Sequence, residues 1–155
     1  MSLTAWRIVK RKYAKTAFSG EGAKQLGGRW NHPGVAIVYT AGSRSLAALE
    51  MLVHLDSAIA LEGYVFFEVT IEESLVKKIL RSDLPRSWRA DPPPDEIRNL
   101  GDEWVRDGLS AVLEVPSVLI PDELNYLLNP QHADFSKLKI GKPTPFQFDR
   151  RLAAR

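Results

Sequence analysis

The chain has 155 residues, a formal net charge of only +2 and no cysteine. That length suits one domain, expected to span residues 1–155, with enough apolar content for a real core. The near balance of charge argues against a general nucleic-acid binder, and the missing cysteine removes disulfides, thiolate catalysis and Cys-zinc sites.

The N-terminus MSLTAWRIVKRKYAK is basic but lacks a long apolar region and a small-residue cleavage site, so no secretory leader is expected. No apolar run approaches the length of a membrane span, and a cytoplasmic location is expected. Leu3–Val9 reads as a first strand. The basic run Lys10-Arg11-Lys12 and a Gly-rich loop through Gly28 follow. Val35–Tyr39 is a continuous, β-branched run, the pattern of a strand covered on both faces. Ser43 is placed to cap a helix in which Leu46, Leu49, Leu52, Val53 and Leu55 recur at helical spacing. Tyr64–Ile71 places apolar Val65, Phe67, Val69 and Ile71 at period two, a strand signal. Leu75–Leu80 fits a short strand or a helical turn.

Leu84–Pro94 reads as a loop because its prolines remove backbone donors and fix φ. A second helix follows, with Ile97, Leu100 and Trp104 on one stripe and Gly108 near its end. Ala111–Val115 is a further strand, and Ser117 to Pro121 continues extended. Pro143–Leu152 closes the chain with Phe146 and Phe148 at strand spacing. Several strands follow one another without an intervening helix. The expected fold class is therefore α+β: mixed, mainly antiparallel sheets with flanking helices.

Four residues carry candidate chemistry. Arg29 follows two glycines, which let backbone approach a ligand closely. Its planar guanidinium suits a phosphate or carboxylate, and the plainer reading is a surface arginine bonded to loop carbonyls. Glu50 lies inside an otherwise apolar helix, with Leu46, Ala47, Val53 and His54 as its helical neighbours. Its carboxylate is expected on a mostly buried face, where it needs a function or a structural partner such as His54 or an arginine. Tyr39 offers a stacking face for a planar ring, or is core with a wet tip. Ser117, between prolines in EVPSVLIP, could bond a sugar or amide, but no G-x-S-x-G elbow marks it as a nucleophile. His32, His54 and His132 show no metal-ligand spacing, so no metal site is expected. The glycines form neither a P-loop nor a dinucleotide fingerprint. Trp30, Trp88 and Trp104 read as core or interface, with Trp30 also placed to line a pocket beside Arg29.

WRI near the start, GGRWN, the VYT strand end, the helix SLAALEMLVHL and the later VPSVLIPDELNYLLNPQH together resemble the RES domain, in order and nearly end to end. The Arg, Glu and Ser that name that family match Arg29, Glu50 and Ser117. The resemblance implies the toxin of a type II toxin–antitoxin system, with a fold like that of ADP-ribosyltransferase toxins. It implies growth arrest through cleavage of the nicotinamide–ribose bond of NAD⁺, which is substrate rather than cofactor. Arg29 and Glu50 would be catalytic, and Arg29, Tyr39 and Ser117 would bind substrate. It also implies a cognate Xre-like antitoxin carrying a DUF2384-type domain, contact with DNA only through that partner, and compatibility with a homodimer inside the complex. Whether water, phosphate or a protein accepts the ADP-ribose stays open.

Two other classes compete. An RNA-targeting toxin would use Lys10, Arg11, Lys12 and Lys15 on phosphates, against which stand the low net charge and the lack of a general-base histidine arrangement. A noncatalytic partner-binding module would use the proline loop with Trp88 as its anchor.

Overall fold

The computed structural model describes residues 1–55 and 63–154. Its frame is one eight-stranded sheet in the order β4-β5-β6-β2-β1-β3-β7, with β8 also paired to β3. The strands are β1 (Ser2–Lys10), β2 (Val38–Ala41), β3 (Tyr64–Glu72), β4 (Val76–Lys78), β5 (Val112–Pro116), β6 (Leu124–Leu128), β7 (Lys139–Ile140) and β8 (Thr144–Phe146). Only β4 and β5 run parallel; every other pairing is antiparallel. The mixed α+β class with a mainly antiparallel sheet is thus the observed one. Among the described residues three α-helices accompany it: α1 (Glu21–Leu26), α2 (Arg44–Leu52) and α3 (Asp95–Asp107).

β1 and β3 form the longest ladder, from Ser2↔Glu72 to Lys10↔Tyr64. The period-two alternation of β3 produces two covered faces. The same alternation runs across the other half of the sheet. Val112, Leu128 and Val38 are register partners and point into one core with Ala5, Val69 and Ile71. Leu113, Leu127 and Tyr39, one step along, point the opposite way. That second face carries both longer helices. α2 packs Leu46, Ala47 and Leu52 with Ile8, Ala41 and Tyr64. α3 packs Ile97 and Trp104 with Trp30, Trp88, Leu113 and Leu127.

Ser43 caps α2 as expected: its hydroxyl accepts the Leu46 N–H at 3.1 Å. Gly108 ends α3 in the left-handed region at φ 59°.

Several expectations need correction. The run Val35–Tyr39 is not itself the strand; β2 begins at Val38, where the ladder to Leu128 starts, and continues to Ala41. Ala36 and Ile37 are buried without belonging to the ladder. The stretch read as a Gly-rich loop contains a 3₁₀ segment (Arg11–Thr16) and α1. Leu75–Leu80 holds both alternatives, since a 3₁₀ turn (Glu73–Leu75) leads directly into β4. Ser117–Pro121 does not stay extended: the Ser117 hydroxyl accepts the N–H groups of Leu119 and Ile120 and turns the chain. β6 was absent from the sequence reading altogether.

Candidate active site

Arg29 sits in the short loop between α1 and β2, and that loop is built on Asn31. Asn31 is fully buried. Its amide reaches the carbonyls of Ala23, His32 and Val35, at 2.9, 3.1 and 3.0 Å. Its Oδ1 accepts the Tyr39 hydroxyl at 2.6 Å. The same phenol oxygen accepts the Trp30 N–H at 3.1 Å. A Cβ on Gly28 would lie 2.6 Å from that phenol oxygen, so only glycine admits Tyr39 beneath the loop. Burial raises the Tyr39 pKa, with the Trp30 N–H opposing, and the phenol stays protonated. Arg7 fixes Tyr39 from the main-chain side. β1 and β2 register at Trp6↔Ala41. Beyond that pair, the Arg7 guanidinium donates to the Tyr39 carbonyl at 2.9 Å and to the Ala17 carbonyl at 2.6 Å. Burial lowers its pKa to about 10, which leaves it charged at neutral pH.

Arg29 spends one nitrogen on structure. Its Nη1 donates to the carbonyls of Trp88 and Ala90, at 3.2 and 2.9 Å, in the proline loop. The plainer reading of Arg29 therefore holds for one arm of the fork. Its Nε and Nη2 have no protein acceptor among the described residues. Burial lowers the Arg29 pKa; Asp91, Glu50 and Tyr39 counter this through space, and Arg98 adds to the lowering.

Glu50 comes from α2. The expected buried setting is only half realised, because Val53 and His54 lie beyond the helix and are exposed. Neither His54 nor an arginine is its hydrogen-bond partner. Its Oε2 accepts the Ser117 hydroxyl at 3.1 Å and also the Asn125 amide N–H. Asn125 is the register partner of Val115 and Ala41, on the helix-bearing face with Leu127 and Tyr39. Ser117 is fully buried. Its single hydrogen goes to Glu50 and its lone pairs to Leu119 and Ile120, so its capacity is full.

The four residues singled out in the sequence thus fall into one neighbourhood. Ser117 bonds Glu50, while Glu50 and Tyr39 both act on the Arg29 charge. The sequence reading missed Asn31, Asn125, Arg7 and Arg98. The motifs WRI, GGRWN and ELNYLLNP contained three of them without marking a role. Trp30 and Trp88 are both buried, 3% and 7% exposed. Trp88 is therefore a core residue and not the exposed partner anchor considered above. Among the described residues no cluster of His, Asp and Glu could hold a metal ion, and no helix is long and apolar enough to cross a membrane.

A half-buried carboxylate held by two donors, within electrostatic reach of a guanidinium with two nitrogens uncommitted among the described residues, can stabilise a developing cation beside a bound anion. Known proteins share this chain's sequence and fold. It is 43% identical over 148 residues to a protein named Toxin Res from Yersinia enterocolitica, covering 95% of this chain and 97% of that one. It is 40% identical over 157 residues to the Prs ADP-ribosylating toxin of a Sphingobium species, covering 98% of each. A chain in the crystal structure of the M. tuberculosis MbcT–MbcA toxin–antitoxin complex matches 99% of this chain and 88% of its own length. The TM-score is 0.77 at 18% identity, a likeness of fold alone. The RES domain matches residues 4–149, from β1 to beyond β8, and the chain belongs to the RES domain family.

Proposed function

We propose that this protein is the toxin of a toxin–antitoxin pair and that it cleaves the nicotinamide–ribose bond of NAD⁺. The observation that carries this reading is the Glu50 carboxylate, held by Ser117 and Asn125 in the field of a partly uncommitted Arg29. Bond cleavage develops positive charge on the ribose, and a preorganised carboxylate stabilises it. Nicotinamide leaves as a neutral base, so no general acid is required. One carboxylate can then serve where glycosidases use two.

In this reading Arg29 binds the anionic diphosphate through Nε and Nη2. The Tyr39 ring packs against nicotinamide, while its hydroxyl keeps the Arg29 loop in place. Ser117 works as a positioning residue for Glu50 rather than as a ribose ligand, because its hydrogen-bonding capacity is already engaged. Two relatives named as toxins support the toxin role. A structural neighbour crystallised as a toxin–antitoxin complex supports a protein partner. We take that partner to be an Xre-like antitoxin with a DUF2384-type domain, acting in the cytoplasm.

A second reading, transfer of ADP-ribose to a protein, is favoured by the name of the Sphingobium relative. Both begin with the same bond cleavage. Incubating purified protein with NAD⁺ labelled in its ADP-ribose half, with and without inorganic phosphate and with and without a cell extract, and separating the products tests them together. Free ADP-ribose indicates water as acceptor, ADP-ribose phosphate indicates phosphorolysis, and label retained on a cell protein indicates transfer. Intact NAD⁺ in all arms, with normal cellular NAD⁺ during growth arrest, rejects the proposal.

A further inference from the structure

We infer that Arg98 is the second arm of the anion site: together with Arg29 it holds the diphosphate of the dinucleotide. This rests on the NAD⁺ reading above, and the test below separates the two.

Asp95, Arg98 and Asp102 recur three and four residues apart on α3 and so share one stripe of the helix. Two of these three touch the Arg29 loop. His32 Nδ1 meets Asp102 Oδ2 at 2.6 Å, and its Nε2 meets Asp95 Oδ1 at 3.1 Å. The His32 N–H donates to Asp102 Oδ1 at 2.9 Å. Gly101, beside this stripe, packs against the Trp30 carbonyl. Arg98 lies between these contacts on the side of α3 turned to the loop.

Its chemistry there is incomplete. The Arg98 Nε is buried and has no hydrogen-bond partner among the described residues. The salt bridges of the described residues use other side chains and include neither Arg98 nor Arg29. The Arg98 charge stands near enough to oppose protonation of Arg29, and both guanidiniums act on Tyr39. Like charges brought together with a buried, unsatisfied donor need a counter-charge. Asp91 and Glu50 supply part of it through space at Arg29. The diphosphate of a dinucleotide carries one negative charge on the non-bridging oxygens of each phosphate, and two planar forks match it one to one.

The test uses the whole protein and its Arg98→Gln and Arg98→Lys variants, checked for folding by circular dichroism. Binding of inorganic pyrophosphate and ADP is measured by calorimetry. Arg98→Gln is expected to weaken both by about tenfold to a hundredfold, the worth of a hydrogen bond to a charged group. Arg98→Lys should recover part of that loss. The KM for NAD⁺ should rise more than kcat falls. Without ligand, Arg98→Gln should melt at or above the wild-type temperature, because it removes a half-buried charge with no salt bridge among the described residues and with its buried Nε unsatisfied. The pyrophosphate-induced rise in melting temperature should shrink in it. Equal pyrophosphate binding in wild type and Arg98→Gln overturns the inference. So does a lower ligand-free melting temperature with unchanged ligand response, the signature of a structural arginine. If the wild type binds pyrophosphate through Arg98 yet leaves NAD⁺ intact, the anion site stands and the NAD⁺ reading falls. If NAD⁺ is consumed and Arg98→Gln binds ADP normally, only this inference falls.

Discussion

Gly101 and Trp30 meet backbone to backbone: a Cβ on Gly101 would stand 1.7 Å from the Trp30 carbonyl oxygen. No side-chain rearrangement relieves that contact, because both partners are main chain. α3 is thereby docked directly on the loop that carries Arg29. Gly101→Ala should force the two apart and cost about 1–3 kcal/mol or more as overpacking. Urea unfolding measures this. NAD⁺ turnover in the protein that still folds should fall as well, because the displaced segment holds Arg29. Wild-type stability in Gly101→Ala would mean that α3 and the loop are not locked.

Glu50→Gln keeps the shape of the side chain and removes its charge. The rate of NAD⁺ consumption should drop by about a hundredfold to a thousandfold, typical for one lost electrostatic stabiliser. The circular dichroism spectrum should not change. Undiminished turnover would leave Glu50 with a purely structural role.

Asn125→Ala removes one of the two donors to Glu50 while leaving the carboxylate. A hydrogen bond to a charged group is worth about 1.5–3 kcal/mol. The expected result is a fall in kcat of roughly tenfold to a hundredfold with little change in KM, because Asn125 positions Glu50 and does not grip the diphosphate. A rise in KM alone would assign Asn125 to substrate binding instead.

His32 sets a pH dependence of stability. Hydrogen bonds to Asp102 first and Asp95 second raise its pKa above the ordinary value near 6.5. A group whose pKa is higher folded than unfolded contributes fully below the unfolded pKa and loses that contribution as pH rises through the folded one. The melting temperature should therefore decline as pH is raised from about 6.5 through that window. His32→Asn should flatten the decline. An identical slope in both proteins would show that the His32–Asp clamp does not contribute.

The sequence displayed some of this architecture clearly and hid the rest for physical reasons. The alternation of Tyr64–Ile71 located β3 almost to its ends, because one strand with two covered faces writes its period into the residue types. Ser43 and Gly108 marked helix ends through local backbone chemistry. β6 escaped because LNYLL is buried along most of its length without clean alternation. α1 escaped because EGAKQL has no buried stripe at all. In the site, Arg29, Tyr39, Glu50 and Ser117 stood out as unusual residue types in their settings. Asn31 and Asn125 did not, since an asparagine reads as a turn residue until its distant partners are known. Arg98 lies on the polar side of an amphipathic helix, where residue type alone does not set it apart from a solvated charge.

The carboxylate and its two holders are far apart in the order of synthesis. Ser117 follows Glu50 by 67 residues and Asn125 follows it by 75. Translation therefore delivers Arg29, Tyr39 and Glu50 long before anything can fix the carboxylate. The arrangement proposed for catalysis comes into being only when β6 emerges. A ribosome stalled before Leu124, or a product cut there, carries the reactive residues without their geometry and is expected to be harmless to the cell that made it.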